Sequence, residues 1–247
     1  MHKNTIIFVI LAAFLGLVGG FLLANSINRS ELNAVLSQPD RIAATNVNAS
    51  QPPEDSQLTD AEIRGKIAEA DLNPTNYLFQ KDLGISLYRY AAMKQDVSLL
   101  GEAVRILERA NAANNKDFDV LVALGNAHFD IAFFKKDAST FQKARDVYGK
   151  ALSERPNDPD VLTDRGLTYF LQEPPELEKA AAELQKVVAT NPRHERSLQF
   201  LVQTLVKQNK IAEAEKAFDS LKAINPNNSA IREITPMIAA AKSGDNN

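Results

Sequence analysis

Leu121-Val122-Ala123-Leu124-Gly125-Asn126-Ala127-His128, followed by Ala144-Arg145-Asp146-Val147-Tyr148 and then Pro156, is the stretch that decides the fold. Its Leu124-Gly125 step falls midway between Leu83-Gly84 and Arg165-Gly166. The shared interval, about 41 residues, is one at which helical repeats recur. Ala103 and Ala144 keep the same interval, and the series continues at Ala180 and Ala214 in shorter steps. Pro156, Pro192 and Pro226 follow Ala144, Ala180 and Ala214 at one constant distance. Small residues at fixed points of a helical pattern let two helices approach closely, and the prolines mark a turn into the next unit. Between these marks the apolar residues keep a helical period, and no strand-like alternation interrupts them.

The recurring pattern resembles the tetratricopeptide repeat family, which combines W-x2-L-G-x2-Y, A-x3-F and P. Four units match in phase. Gln80/Leu83/Gly84/Leu87 go with Ala103/Leu107, and Leu121/Leu124/Gly125/His128 with Ala144/Tyr148/Pro156. Leu162/Arg165/Gly166/Tyr169 go with Ala180/Leu184/Pro192, and Leu198/Leu201/Val202/Leu205 with Ala214/Phe218/Pro226. Gln80 stands where a large apolar residue is usual, and Val202 replaces glycine. The resemblance implies an all-α, right-handed helical-repeat solenoid of about nine main helices. The expected units are a lead-in helix over 58–73, repeats over 74–117, 118–157, 158–192 and 193–226, and a capping helix with a frayed tail over 227–247. The wider spacing calls for longer helices and turns in the first two repeats. Pro236 is expected to kink or split the cap.

Working outward, Thr59 and Glu62 have the spacing of a capping box, and Leu58 and Ile63 that of a hydrophobic staple. Asn73-Pro74, Asp158-Pro159 and Asn191-Pro192 each place a capping side chain before a proline suited to the first helical turn. Asp96 and Asp137 are expected to cap second helices. Residues 28–57 are rich in Asn, Ser, Gln and Pro and read as a flexible linker. Ahead of it, Ile6–Ala24 is an uninterrupted, uncharged apolar run. As a helix its roughly 19 residues would rise roughly 28 Å, about one bilayer core. We expect a short tail over 1–5 and a signal-anchor helix over 6–27, with the tail cytoplasmic and the repeats periplasmic. A cleaved leader with a site at Ala24-Asn25-Ser26 is the alternative, but leader cores are shorter. Ala12, Gly16, Gly20 and Ala24 recur every fourth residue, a stripe through which two membrane helices could pair as a homodimer.

Composition narrows the chemistry. The 247 residues contain no cysteine, which excludes disulfides, thiol catalysis, zinc–thiolate sites and thiolate-bound clusters. A net charge of −3 offers no basic excess for a phosphate backbone, so no nucleic-acid partner is expected. No metal or cofactor is expected either. His128 occupies a repeat packing slot, and His194 follows Pro192 in a turn where a cap suffices. No HExxH, phosphate-loop or Ser-His-Asp signature appears in the sequence. Asn-x-Ser triplets at Asn28, Asn48 and Asn227 read as chance occurrences in Asn-rich segments.

The resemblance also implies where ligands would bind, because first helices of this family line a concave surface. Beside the packing stripe each first helix carries a second stripe. The four sets are Leu78/Lys81/Ile85/Tyr88, Asp119/Val122/Asn126/Phe129, Asp160/Thr163/Leu167/Phe170 and Arg196/Gln199/Gln203/Val206. Tyr88, Phe129 and Phe170 recur at the interval of the glycines and would form a row of rings suited to an apolar peptide. The alternative is that they pack between helices. The pattern lacks the family's carboxylate clamp, since Ile85 stands at the asparagine position. The expected function is a membrane-tethered adaptor, not an enzyme, that binds protein segments during assembly of an envelope complex. In layout it resembles accessory factors of cytochrome c maturation and of the secretion channel. A self-associating structural organiser and a cytosol-facing docking receptor are the competing readings.

Overall fold

The computed structural model of the protein describes residues 59–243. The expected anchor, the linker, the Ala12/Gly16/Gly20/Ala24 stripe, Leu58 of the staple and the last four residues lie outside that range. Among the described residues there are ten helices and no strand. They are α1 (Asp60–Leu72), α2 (Tyr77–Lys94), α3 (Val97–Ala113), α4 (Phe118–Lys135), α5 (Ala138–Glu154), α6 (Pro159–Leu171), α7 (Leu177–Thr190), α8 (Glu195–Lys207), α9 (Ile211–Ile224) and α10 (Ile231–Ser243). The extra length of the first two repeats goes into the helices. α2 to α5 have 17 or 18 residues, and α6 to α9 have 13 or 14. The chain divides into two compact units, and the division falls between Arg109 and Ala110, inside α3.

In the first unit, α1 opens on the expected capping box. Glu62 N–H donates to Thr59 Oγ1 (3.3 Å), and Thr59 N–H donates to Glu62 Oε2 (2.7 Å). That backbone bond holds the Glu62 carboxyl below its usual range. Gln80, the apparent misfit of the repeat pattern, is fully buried in α2. Its Nε2 donates to the carbonyls of Ala70 (2.7 Å) and Asn73 (2.9 Å), so an amide ties α2 to the end of α1 with bonds that an apolar residue could not make. Arg105 and Arg109 of α3 both bind the Asp71 carboxylate, which their hydrogen bonds draw down to about 2. Gly84 lets α2 and α3 meet, because a Cβ there would fall 2.8 Å from the Leu107 side chain.

The second unit repeats one seam. α4 packs on α5, α6 on α7 and α8 on α9, while α4, α6, α8 and α10 also neighbour one another in succession. A Cβ at Gly125 would lie 2.6 Å from the Tyr148 ring, and one at Gly166 would lie 3.2 Å from Glu183 Cβ. Ala144, Ala180 and Ala214 opposite are fully buried. Gly125 and Gly166 therefore lie where the paired helices α4–α5 and α6–α7 approach closely, as the repeat spacing predicts.

The turns correct part of the proline reading. Asp158 caps α6 with Pro159 in the first turn, as expected, and Asp96 and Asp137 cap α3 and α5. Asn73 and Asn191 instead close the preceding helices, and the caps of the next ones are Asn76 and His194. Asn73-Pro74-Thr75-Asn76 and Asn191-Pro192-Arg193-His194 are tight turns in which the fourth N–H donates to the first carbonyl (3.1 Å in each). Proline sits at the second turn position, where its fixed φ is favourable. α10 is not split at Pro236, since one helix runs through it.

Candidate functional site

The first-helix stripes split by position along each helix. Leu78, Asp119 and Asp160, in the opening turns of α2, α4 and α6, are exposed. Lys81, Ile85, Val122, Arg196 and Gln199 are half-buried. Tyr88, Asn126, Phe129, Thr163, Leu167, Phe170, Gln203 and Val206 are buried. The expected row of ligand-facing rings is thereby corrected, because Tyr88, Phe129 and Phe170 keep only 4%, 2% and 4% of their surface. Phe129 stacks edge-on against Phe141 of α5 (5.6 Å), and Phe170 against Phe200 of α8 (6.2 Å). In the second unit α6 meets its own partner α7 and also α4 and α8, so two stripes of it are consumed by packing. Of the four stripes, Leu78, Asp119 and Asp160 in the opening turns stay most open to solvent.

Between α6 and α8 those turns are joined by a polar seam. The Asp164 carboxylate is buried and forms an ion pair with Arg196, whose guanidinium also reaches Asp160 (3.8 Å). Burial pushes Asp164 above the usual carboxylate range, and the Arg196 charge opposes that rise. His194 caps α8 by accepting the Ser197 N–H at Nδ1 (3.3 Å). Ser197 Oγ lies 2.7 Å from the same nitrogen, and Asp160 Oδ1 lies 3.3 Å from Nε2. Serine, histidine and aspartate thus stand in a line whose order along the chain gives no sign of it. The line is structural. Ser197 is fully buried, and its Oγ is also 2.6 Å from Thr163 Oγ1, so no substrate carbonyl can reach it. The chemistry available here is capping and cross-helix attachment.

Other polar groups that the sequence did not single out are likewise tied inward. Tyr148 donates its hydroxyl to Asn126 (2.7 Å). Arg145 is buried, binds Gln142, Thr168 and Gln172, and lies over the Tyr169 ring (4.6 Å). His128 keeps the packing role expected of it, and burial pushes its imidazole down to about 4, leaving it uncharged at neutral pH. Among the described residues no group of His, Cys, Asp and Glu could hold a metal ion, and no helix is long and apolar enough to cross a membrane.

Residues 176–235 match the profile of the tetratricopeptide repeat family. The fold is similar to that of several crystal structures. One is MamA, 20% identical, with 68% of this chain and 88% of that chain covered at a TM-score of 0.54. A tetratricopeptide repeat protein from Parabacteroides merdae is 21% identical, with 67% and 61% covered at 0.54. A thermophilic one from Thermus thermophilus is 18% identical, with 74% and 90% covered at 0.52. The search of curated proteins found no match. The profile match covers residues 176–235, and the neighbours show an all-α helical-repeat fold for the chain.

Proposed function

We propose that this repeat chain is a non-catalytic adaptor that binds protein segments and is held at a membrane by residues 6–27. The observation that carries the binding reading is the split along the first helices. Their opening turns keep Asp119, Val122, Asp160 and Gln199 wholly or partly in solvent, while Asn126, Phe129, Thr163, Leu167, Phe170, Gln203 and Val206 of the same stripes are buried. Repeat stacking thereby sets side chains of different helices beside one another on a rigid support, which suits contact with an extended partner. The anchor reading is supported by the uncharged apolar length of 6–24, and with it the repeats are proposed to lie outside the cytoplasm. Assistance in assembling an envelope complex is the role this layout suits.

Photocrosslinking tests the binding reading. A benzophenone amino acid at Val122 or Gln199 should give discrete adducts with the same partner protein. The same group at the exposed Gln185 of α7 should give none. Adducts at Gln185 of equal yield would move the binding surface to the second helices. The Ala12/Gly16/Gly20/Ala24 stripe is proposed as a dimer face. Gly16→Ile with Gly20→Ile should lower self-association in a membrane two-hybrid assay, and unchanged association would make the glycines mere spacers.

A further inference from the structure

The hydroxyls at the junction of α6 and α8 form a hydrogen-bond chain that has a direction. Ser197 Oγ lies 2.7 Å from His194 Nδ1 and 2.6 Å from Thr163 Oγ1, and Thr163 Oγ1 lies 2.6 Å from the Pro159 carbonyl. Each hydroxyl has one hydrogen to give, so neither can donate both ways. His194 Nδ1 accepts the Ser197 N–H (3.3 Å) only while it keeps its lone pair. In that state the Ser197 O–H also points at Nδ1, and the Thr163 O–H points at Ser197. The ring hydrogen then sits on Nε2 and points at Asp160 Oδ1 (3.3 Å).

We propose that His194 is a proton-operated cap, which holds the opening turn of α8 closed when neutral and releases it when protonated. An imidazolium donates from both nitrogens. Its Nδ1–H turns to Ser197 Oγ, the Ser197 O–H to Thr163 Oγ1 and the Thr163 O–H to the Pro159 carbonyl. The chain reverses, every hydroxyl keeps a partner, and Nε2–H stays on Asp160. What is lost is the acceptor of the Ser197 N–H, the bond that caps the helix. Ser197 is fully buried, so that N–H reaches water only if the turn opens. A cation is also disfavoured at a helix N-terminus, and opening the turn relieves that. Asp160 attracts the charged ring, while Arg196, bound to Asp164 and 3.8 Å from Asp160, opposes it. Asp158 caps α6, and the adjoining Arg193 is exposed. Of the charges that the other helices packed on α8 bring to this end, Lys186 of α7 is paired with Glu183 and Lys222 of α9 with Asp219. Glu195 binds Asn225 and Asn228 ahead of α10, where Arg232 is exposed and Glu233 half-buried. Histidine is the side chain whose charge ordinarily changes between about pH 5 and 8. The turn it governs carries Arg196 and Gln199, so the surface offered by α8 changes with acidity. The cap stands on this geometry alone and does not depend on the anchor or on the partner.

Hydrogen–deuterium exchange of the full-length protein, read by mass spectrometry and corrected for the intrinsic effect of pH on exchange, tests the cap. In the native chain, peptides spanning 195–199 should exchange several-fold faster at about pH 5.5 than at about pH 8. Peptides spanning 159–163, in the turn capped by Asp158, should hold the same protection at both. His128, pushed down to about 4, stays uncharged over that range. His194→Asn keeps a capping oxygen without a titrating ring and should keep 195–199 protected at both values. His194→Ala should leave that segment open at both. Native protection that does not change with pH would overturn the proposal. The same change in His194→Asn would overturn it too, by assigning the effect to Asp160 or Asp164. Loosening of 159–163 in step with 195–199 would do so as well, because the whole junction would then be opening rather than one cap.

Discussion

Arg196→Gln destabilises the second unit by roughly 3–5 kcal/mol, the range for removing one partner of a buried ion pair. The reason lies in Asp164, which is 3% exposed and pairs with Arg196. Glutamine keeps a donor but not the charge, so the carboxylate is left in a low-dielectric site with its attraction gone. The loss depends on pH. Burial already raises the Asp164 carboxyl, and without Arg196 it rises further. A carboxyl whose folded pKa exceeds its unfolded one costs stability as pH rises through that interval, and the cost vanishes once the group is protonated. The deficit should therefore be full at neutral pH and shrink on acidification toward the ordinary carboxylate range. Urea unfolding followed by circular dichroism at neutral and mildly acidic pH checks this. A deficit that is small, or that does not change with pH, would mean that Asp164 is hydrated. Arg196→Met with Asp164→Leu should recover most of the loss, since a well-packed apolar pair can replace a buried ion pair.

The parts of this fold that a linear reading captures are those in which one residue's size decides a contact. Gly84, Gly125 and Gly166 face close partner helices, where an added Cβ would fall 2.8, 2.6 and 3.2 Å from the nearest side chain, and their spacing set the repeat. Thr59 and Glu62 were equally legible, since a capping box is completed within a single helical turn. The candidate site was not legible in the same way. A helical wheel assigns one packed face to each helix, but α6 meets α7 and also α8. The stripe that looked free on the wheel is the one that Phe170 uses against Phe200 and Thr163 uses against Ser197. His194 and Asp160 lie 34 residues apart, and nothing in either segment predicts that a cap would also bridge two repeats. The proline turns erred for a local reason. Proline is favoured both at the first helical position and at the second turn position, and a β-turn ahead of the helix accounts for Asn73-Pro74 and Asn191-Pro192 equally well.

Tyr148→Ala costs roughly 3–5 kcal/mol, the range for emptying a buried aromatic site, and Gly125→Ala costs about 1–3 kcal/mol by overfilling the same one. Tyr148 is fully buried, and its ring lies against Gly125. An added Cβ would meet two ring carbons at 2.6 and 2.7 Å, and an aromatic ring has no flexible end to swing aside. The two sites must therefore be coupled. Tyr148→Leu removes the ring atoms that clash and also the hydroxyl bound to Asn126 (2.7 Å), so alone it leaves both a void and an amide oxygen stripped of that donor. Adding Gly125→Ala to Tyr148→Leu should cost far less than adding it to the native chain. A double-mutant cycle by urea unfolding measures the difference, and contacting residues show coupling of roughly 0.5–3 kcal/mol. Strict additivity would mean that α4 and α5 separate freely to admit a methyl group. Close approach at the repeat glycines would then be a convenience of packing, and the period of the repeat would have to be explained by something other than the seam.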